Sequence, residues 1–330
     1  MQLRALPLVW RDTTTVQVGT DPRWAVALGD LSPSAARALV GLPPGASERA
    51  ITAALDAEDV PAAETAGVLA HLTAAHLLVP PPTVPSAAAA ESRAWAVLDV
   101  DGDGAALVAR RARSRVRVVG LDRLGATLAQ TLAAAGVGTL ELADATAVGA
   151  TDVGFGGFGV RDVGDPREVA AARAVREANP TTRTFAPAGR APDLVVLVER
   201  GLADPCTHLP LRDADVPHLS VVVREASILV GPLVLPRRTA CLTCLDLSRT
   251  DADPAWPTVA AQLVADPAVT SLVPEAAAAT TAAGIAAAQA LAHLDGRPCA
   301  VHGATLELAL PDLLPRAWTW APPPAGGGGG

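Results

Sequence analysis

The chain has 330 residues, of which 50% are hydrophobic and 18% are charged, and its net charge is −8. This length and composition predict a folded protein of two domains or one large one, and they exclude an intrinsically disordered chain. All 26 cationic residues are arginines, so chemistry that needs a lysine, such as a Schiff base or a P-loop, is excluded. The negative charge argues against a general nucleic-acid-binding protein.

The number of cysteines and the apolar segments indicate the cellular compartment of the protein. Four cysteines are too few for a secreted fold held by disulfides, and residues 1–20 lack the apolar core of a signal peptide. A long uncharged run at residues 276–294 is rich in Ala and Thr and poor in Leu and Ile. That composition favours a tightly packed helix over a membrane span. We therefore expect a cytoplasmic protein that does not insert into a membrane.

Local composition divides the chain into four segments. Residues 1–80 form a first domain, and the Pro/Ala-rich residues 81–94 form a linker. Residues 95–320 form a second domain, and the Pro/Gly tail at 321–330 is expected to be disordered.

The first domain reads as short strands followed by short helices. The predicted strands are 13–18 and 24–28, and the predicted helices are 34–40, 48–56 and 62–78. Ser32, before a proline, and Ser47 are the predicted N-caps of the first two helices. This order predicts a small winged-helix α+β domain.

The charge of this domain bears on what it binds. Residues 1–80 contain five arginines and eight acidic residues, which is a poor composition for neutralising phosphates. Binding of DNA is therefore disfavoured, and capture of an extended peptide at the edge of the small sheet is the functional alternative. A structural role as a cap on the second domain also remains open. The predicted peptide-binding residues are Trp24, Val26 and Leu28 of the second strand and Val68, Leu69 and Leu72 of the third helix.

The second domain begins with a strand–helix–strand pattern. A buried strand at residues 116–119 leads into a turn bounded by Gly120 and Gly125, and a leucine stripe marks the following helix. A second strand at 140–143 ends at Asp144, where an acid can accept hydrogen bonds from a ribose. The pattern predicts an α/β, Rossmann-like domain.

The order of these features resembles the ThiF/E1-like superfamily, whose members adenylate the carboxyl terminus of a small protein or peptide. The similar segments are 120–125, Asp144, 152–180, 193–198, 216–247 and 251–257. The segment 216–247 is similar to the branch linked to azole-forming peptide maturation. That resemblance implies an N-terminal winged helix that holds a precursor leader peptide, and it implies a YcaO-type cyclodehydratase as partner.

The chain departs from the superfamily at the residues that would bind ATP. The resemblance implies a nucleotide site at Gly120, Leu121, Gly125, Asp144, Arg167 and Glu199. Asp122 replaces a glycine of the loop, so a negative charge would face the phosphates. The Arg-Gln run of the family is missing near residues 154–158, the family's lysine falls near Arg167, and Glu199 stands in for a magnesium-binding Asp. ATP and magnesium are therefore disfavoured, although an active adenylyltransferase that acts on a carrier protein remains the alternative.

Further residues suggest a metal site and interfaces. Cys241 and Cys244 form a zinc half-site that Cys299 and His302 are spaced to complete, with a pair of buried thiols as the alternative. The arginine cluster at residues 110–117 either contacts an acidic partner or forms a solvated strand entrance. The small side chains of 276–294 also suit a homodimer contact.

Overall fold

The computed structural model describes residues 1–81, 88–96, 98, 104–185 and 189–320. The chain divides into two compact units, Met1–Ala109 and Arg110–Gly330. The boundary therefore lies after the predicted linker, because residues Ala89–Ala96 form a helix of the first unit. Residues 82–87 of that linker and the predicted tail at 321–330 lie outside the described residues.

The first unit is an α+β unit with two small antiparallel pairings. Its strands are β1 (Gln2–Leu3), β2 (Leu8–Trp10), β3 (Val16–Val18), β4 (Val26–Leu28) and β5 (Leu78–Val79). Its helices are α1 (Pro33–Val40), α2 (Glu48–Ala57), α3 (Ala62–Ala74) and α4 (Ala89–Ala96), and α5 (Gly104–Arg111) crosses the boundary. Strands β2, β3 and β4 form one sheet in that order, and β1 pairs with β5.

The predicted caps account for where the first helices begin. Ser32 Oγ accepts a hydrogen bond from Ala35 N at 3.1 Å, and Ser47 Oγ accepts one from Ala50 N at 3.2 Å. These bonds satisfy backbone N–H groups that have no partner within the helix.

The third helix ends earlier than its pattern predicts. It stops at Ala74 because His76 adopts a left-handed φ of 52°, which a continuing helix does not allow. Leu78 and Val79 then pair with β1 as a strand. The apolar residues after Ala74 therefore belong to a turn and a strand.

The second unit is built on one mixed sheet. Its strands are β6 (Arg115–Val119), β7 (Thr139–Ala143), β8 (Leu194–Arg200), β9 (His218–Val223), β10 (Ser227–Val234), β11 (Ala304–Ala309) and β12 (Pro315–Thr319). Its helices are α6 (Arg123–Ala134), α7 (Arg167–Ala178), α8 (Pro205–Asp213), α9 (Leu242–Ala252), α10 (Trp256–Ala265), α11 (Pro267–Thr270) and α12 (Ala276–Leu294). The strand order is β12-β11-β10-β9-β8-β6-β7. Strands β7, β6, β8 and β9 are parallel, and the others are antiparallel. The predicted α/β fold class is confirmed.

The alanine-rich helix α12 lies inside this unit. Ala282, Ala283, Ala286 and Ala290 are fully buried in the main core, together with Leu128 and Leu132 of α6. Of the helices in the described part of the chain, α12 has the length and hydropathy to cross a membrane, but half of that segment is buried in the fold. Close packing within the unit accounts for its small side chains, and the predicted homodimer contact stays a prediction.

The arginine cluster at residues 110–117 is not a uniformly solvated strand entrance. Arg111 is fully buried, and its Nε and Nη2 donate to Asp295 Oδ1 and Oδ2 at 3.0 and 2.8 Å. Arg110 Nη1 donates to the backbone carbonyl of Asp295 at 2.8 Å. These side chains therefore fix the end of α5, which precedes β6, to the end of α12.

Candidate functional site

Four strands of the second unit run in parallel, so their carboxyl ends meet at one edge of the sheet. Gly120 follows β6, Asp144 follows β7, and Glu199 and Arg200 end β8. Ligands of open α/β sheets bind at this edge. The structure therefore brings most of the sequence-predicted nucleotide residues to one place.

The turn after β6 requires both of its predicted glycines. Gly120 has a φ of +86°, and a Cβ there would lie 2.2 Å from the carbonyl oxygen of Val198. A Cβ on Gly125 would lie 2.0 Å from the carbonyl oxygen of Gly120. These approaches leave no room for a side chain, so the glycines are explained by packing of the strand, turn and helix.

Asp122 caps the helix that follows the turn. Its Oδ1 accepts hydrogen bonds from Leu124 N at 2.9 Å and Gly125 N at 3.0 Å, and its Oδ2 accepts one from Arg200 Nη2 at 2.7 Å. The residue is 3% exposed. The N-terminus of such a helix is an anion-binding site, and here the protein's own carboxylate fills it. The sequence predicted that the charge of Asp122 would face bound phosphates. In the structure its carboxylate instead faces the N-terminus of α6 and is hydrogen-bonded there.

Asp144 is held by groups of the protein. Its Oδ2 accepts hydrogen bonds from Leu121 N at 2.7 Å and Arg167 Nη1 at 3.1 Å, and its Oδ1 accepts from Thr146 N and Oγ1 at 3.0 and 2.6 Å. Burial alone would raise the pKa of this carboxyl. The hydrogen bonds from Thr146 and Leu121 and the charge of Arg167 outweigh burial, so the pKa lies below its ordinary value.

Arg167, the predicted substitute for the family's lysine, is bonded to two carboxylates. Its Nε and Nη2 donate to Asp152 Oδ2 at 3.1 and 2.7 Å, in addition to its bond to Asp144. Asp152 is 3% exposed and its Oδ2 also accepts from Gly149 N at 2.8 Å. The guanidinium is therefore committed to internal ion pairs, and binding a phosphate would require it to break them.

Sequence reasoning missed two residues of α6 that hold the neighbouring loop. Arg123 Nη2 donates to the carbonyl of Val153 at 2.5 Å, and Gln130 Nε2 donates to the carbonyl of Gly156 at 2.5 Å. The loop lies where the family's Arg-Gln run would fall. Both contacts join residues distant in sequence, and their only local signal is polarity within an otherwise apolar helix.

Glu199 is a buried carboxyl beside a cleft. Its Oε1 accepts from Thr207 Oγ1 at 2.6 Å and from Asp204 N at 3.2 Å. Its Oε2 has no hydrogen-bond partner among the described residues. Burial raises its pKa to about 7. The cleft has a volume of about 220 Å³, and Glu199, Arg200, Leu202 and Val269 are among its lining residues. A carboxyl that is partly neutral near pH 7 is a weak magnesium ligand, so these residues fit an ATP–magnesium complex poorly.

The four predicted zinc ligands are not gathered into one site. Cys241 and Cys244 are together, with their Sγ atoms 2.8 Å apart at the start of α9. The Cys299 thiol instead donates to Gln289 Oε1 at 3.4 Å, and the His302 ring packs edge-on against His293. In the described part of the chain, no group of three or more His, Cys, Asp or Glu side chains is arranged to hold a metal. Burial raises the pKa values of the Cys244 and Cys299 thiols.

The predicted peptide-binding residues of the first unit divide by burial. Trp24 lies two residues before the outer strand β4 and is 42% exposed. Val26, the first residue of β4, is half-buried. Leu28, Val68 and Leu72 are buried in the core of the unit, and Leu69 packs partly buried against that core. The surface that can meet a peptide therefore reduces to Trp24, Val26 and the edge of β4.

The parallel strands, the glycine turn and the acid after the second strand define a Rossmann-like domain. Residues 92–195 match the ThiF family. The resemblance predicted from the motifs is therefore confirmed for this stretch of the chain, which contains β6, α6, β7 and α7. No curated protein matches the chain in sequence.

Solved structures share this fold over nearly the whole chain. Escherichia coli MccB with ATP has 15% identity over 98% of each chain and a TM-score of 0.65. The same protein with AMPCPP and selenomethionine MccA has 15% identity over 98% of each chain and a TM-score of 0.67. PaaA has 18% identity over 96% of this chain and 98% of its own, with a TM-score of 0.70. At these identities the likeness establishes the fold.

Proposed function

We propose that this chain is a ThiF/E1-like protein of peptide maturation that binds a precursor leader peptide and presents it to a YcaO-type cyclodehydratase. Its own nucleotide site is degenerate. The shared fold supports the link to peptides, since MccB is described as a microcin C7 biosynthetic enzyme in complex with N-formylated MccA. The acidic first unit, with its open strand edge, supports capture of a peptide over capture of nucleic acid.

The observation that carries the loss of adenylation is the position of the Asp122 carboxylate. It occupies the N-terminus of α6 and is neutralised by Arg200. A triphosphate needs those N–H groups and several free cations. Here the N–H groups are bonded internally, and Arg167 is held by Asp144 and Asp152. Groups that act as a unit in catalysis are lost together, so the expected residual activity is close to none.

Exchange of pyrophosphate into ATP tests this part of the proposal. With magnesium, ATP and a panel of peptides and carrier proteins that end in free carboxylates, we expect no exchange above the background without protein. An adenylating member of the ThiF/E1-like superfamily with its own substrate serves as the positive control for the assay. Exchange that is abolished in Asp144→Ala but kept in Asp213→Ala, a change at an exposed acid, would establish the alternative, an active adenylyltransferase.

The adenylyltransferase alternative has its own support. Asp144 keeps a lowered pKa and stays ionised, and both glycines of the turn are present. An ionised acid at the end of the second strand is the group that bonds a ribose in this kind of domain. The exchange assay separates adenylation from peptide presentation, because only adenylation incorporates labelled pyrophosphate into ATP.

Peptide capture is expected at the outer edge of β4. An extended peptide adds a strand through backbone hydrogen bonds, and an exposed aromatic side chain beside the edge adds apolar contact. Peptides selected from a display library on the full chain should bind at least tenfold more weakly to Trp24→Ala and to Ala27→Pro, since proline removes an N–H from the edge. Trp10→Ala is the matched control, because Trp10 is 46% exposed on β2 at the opposite edge of the same sheet. Equal losses in Trp10→Ala and Trp24→Ala would contradict this location.

The YcaO-type partner is tested by reconstitution. A purified YcaO-type cyclodehydratase and a Cys/Ser/Thr-rich precursor are expected to form azolines faster when this chain is added. The stimulation should disappear when the leader of the precursor is deleted. Equal stimulation with and without the leader would exclude a presenting role.

A further inference from the structure

We propose that a small pocket beside strand β9 of the second unit binds a carboxylate group. The pocket is about 20 Å³ in volume, and its polar lining comprises Ser220, Arg224, Asp246, Arg249 and Thr305. Arg224 directly follows β9 at the carboxyl edge of the parallel strands. This set shares no residue with the turn, Asp144 or Arg167 of the nucleotide position.

Two buried hydroxyl groups point to a ligand in this pocket. Ser220 is 1% exposed, and its Oγ has no hydrogen-bond partner among the described residues. Thr305 is 2% exposed, and its Oγ1 accepts from Trp320 Nε1 at 2.9 Å, which leaves its O–H free to donate. A buried polar atom without a partner costs about 1–3 kcal/mol. Both residues line the same pocket, so an acceptor within reach of both hydroxyls would satisfy them together.

The charged residues that line the pocket are two arginines and one aspartate, so the lining alone carries one net positive charge. Arg249 Nη1 donates to Asp246 Oδ1 at 3.2 Å, and its guanidinium lies 4.9 Å from the centre of the Trp256 ring. The structure shows no side-chain hydrogen bond or ion pair of Arg224 with any described residue. Burial and the charge of Arg249 lower the pKa of Arg224, against the opposing charges of Glu307 and Glu225. Within the lining, Asp246 pairs with Arg249, and an anionic group in the pocket would pair with Arg224.

Size and charge select a carboxylate. The volume is that of about one or two water molecules, which suits a planar carboxylate better than a tetrahedral phosphate. A guanidinium fork binds carboxylate oxygens with two parallel hydrogen bonds. A single charge also matches the net charge of the pocket, whereas a doubly charged phosphate would remain partly unpaired. The carboxylate comes from a peptide or from a free small acid.

Calorimetry with N-acetylglycine tests the proposal on the full chain. We expect N-acetylglycine to bind and the neutral N-acetylglycinamide not to bind. Arg224→Gln should weaken binding at least about tenfold, because it removes the guanidinium that pairs with the carboxylate at a partly buried position. Arg11→Gln, at an exposed arginine of the first unit, is the matched control and should leave affinity unchanged. Equal binding of acid and amide, unchanged affinity in Arg224→Gln, tighter binding of inorganic phosphate, or no binding of N-acetylglycine would each overturn the proposal.

The Ser220→Ala variant tests the pocket in a protein that is expected to fold, so a loss of binding cannot be explained by unfolding. Removing an unpartnered hydroxyl should leave the stability of the ligand-free protein equal or higher, while it weakens N-acetylglycine binding several-fold. Unchanged affinity in a stable Ser220→Ala protein would contradict the assigned pocket.

A longer N-acetylated peptide acid distinguishes the two sources of the carboxylate, a peptide and a free small acid. Tighter binding than N-acetylglycine indicates a peptide carboxylate, and equal binding indicates a free small acid.

Discussion

At the scale of single residues, Asp122 combines two structural roles. It caps α6, and it pairs with Arg200, which also donates to the carbonyl of Leu272 at 2.7 Å. We predict that Asp122→Ala lowers the free energy of unfolding by roughly 2–4 kcal/mol, since it removes a cap and leaves a partly buried arginine without its carboxylate. Asp122→Asn should lose less, because asparagine keeps the cap. Urea unfolding measures both, and equal losses would show that the cap contributes little.

A second prediction concerns Glu199 and the pH dependence of the free energy of unfolding. Its folded pKa of about 7 lies above the ordinary value of 4.5, so the folded state holds the proton more tightly than the unfolded chain. The resulting stability is complete below about pH 4.5 and is lost as the pH rises through about 7. The loss is on the order of 3 kcal/mol. Relative to Glu199→Gln, which cannot ionise, the protein should lose stability between about pH 5 and pH 8. Parallel pH profiles of the two proteins in chemical unfolding would contradict the shift.

Residues of the site were predictable where a local motif marks them. The glycine turn, Asp122, Asp144 and Arg167 all lie in or next to the βαβ pattern, and the structure places them at one sheet edge. Arg200, which pairs with Asp122, had no such signal. The pocket of Ser220 and Arg224 was also missed, because it forms only when the strands and α9 come together.

At the scale of elements, capping predicted where the helices of the first unit begin, whereas the strands predicted at 13–18 and 24–28 end where expected but begin later, at Val16 and Val26. The three helices of the first unit begin within a residue of their predicted starts. The end of α3 was missed because the left-handed turn at His76 has no proline or glycine to announce it. The pairing of β1 with β5 joins the two ends of the unit, and no local pattern specifies such a contact.

The alanines of α12 supply a prediction about packing between elements. Ala282 and Ala286 are fully buried against the main core, whereas Ala288 is exposed on the same helix. Ala282→Leu or Ala286→Leu should cost about 1–3 kcal/mol, because the extra volume separates closely packed elements. Ala288→Leu is the matched control and should stay within about 0.5 kcal/mol. Thermal or urea unfolding decides the point. An equal cost at all three positions would mean that helix packing is not limited by alanine size.

At the scale of the whole molecule, charge separates two classes of partner for the first unit. The unit contains short helices and a small sheet, an arrangement that serves in recognition of either DNA or peptides. Its residues 1–80 contain five arginines and eight acids, within a chain of net charge −8. Affinity for DNA comes mainly from cations that neutralise phosphates, so the same fold with this charge is better suited to peptides.

This argument predicts that the full chain does not retard duplex DNA in a gel shift, even at low ionic strength. At low salt, electrostatic attraction to phosphates is screened least, so a cationic surface hidden within the acidic total would show itself there. The display-selected peptides provide the positive control, since they should bind the same preparation and show a loss in Trp24→Ala. A DNA complex that weakens steeply as salt rises would instead reveal phosphate contacts. That result would make a nucleic acid the ligand of the first unit and would remove the basis for assigning it to peptides.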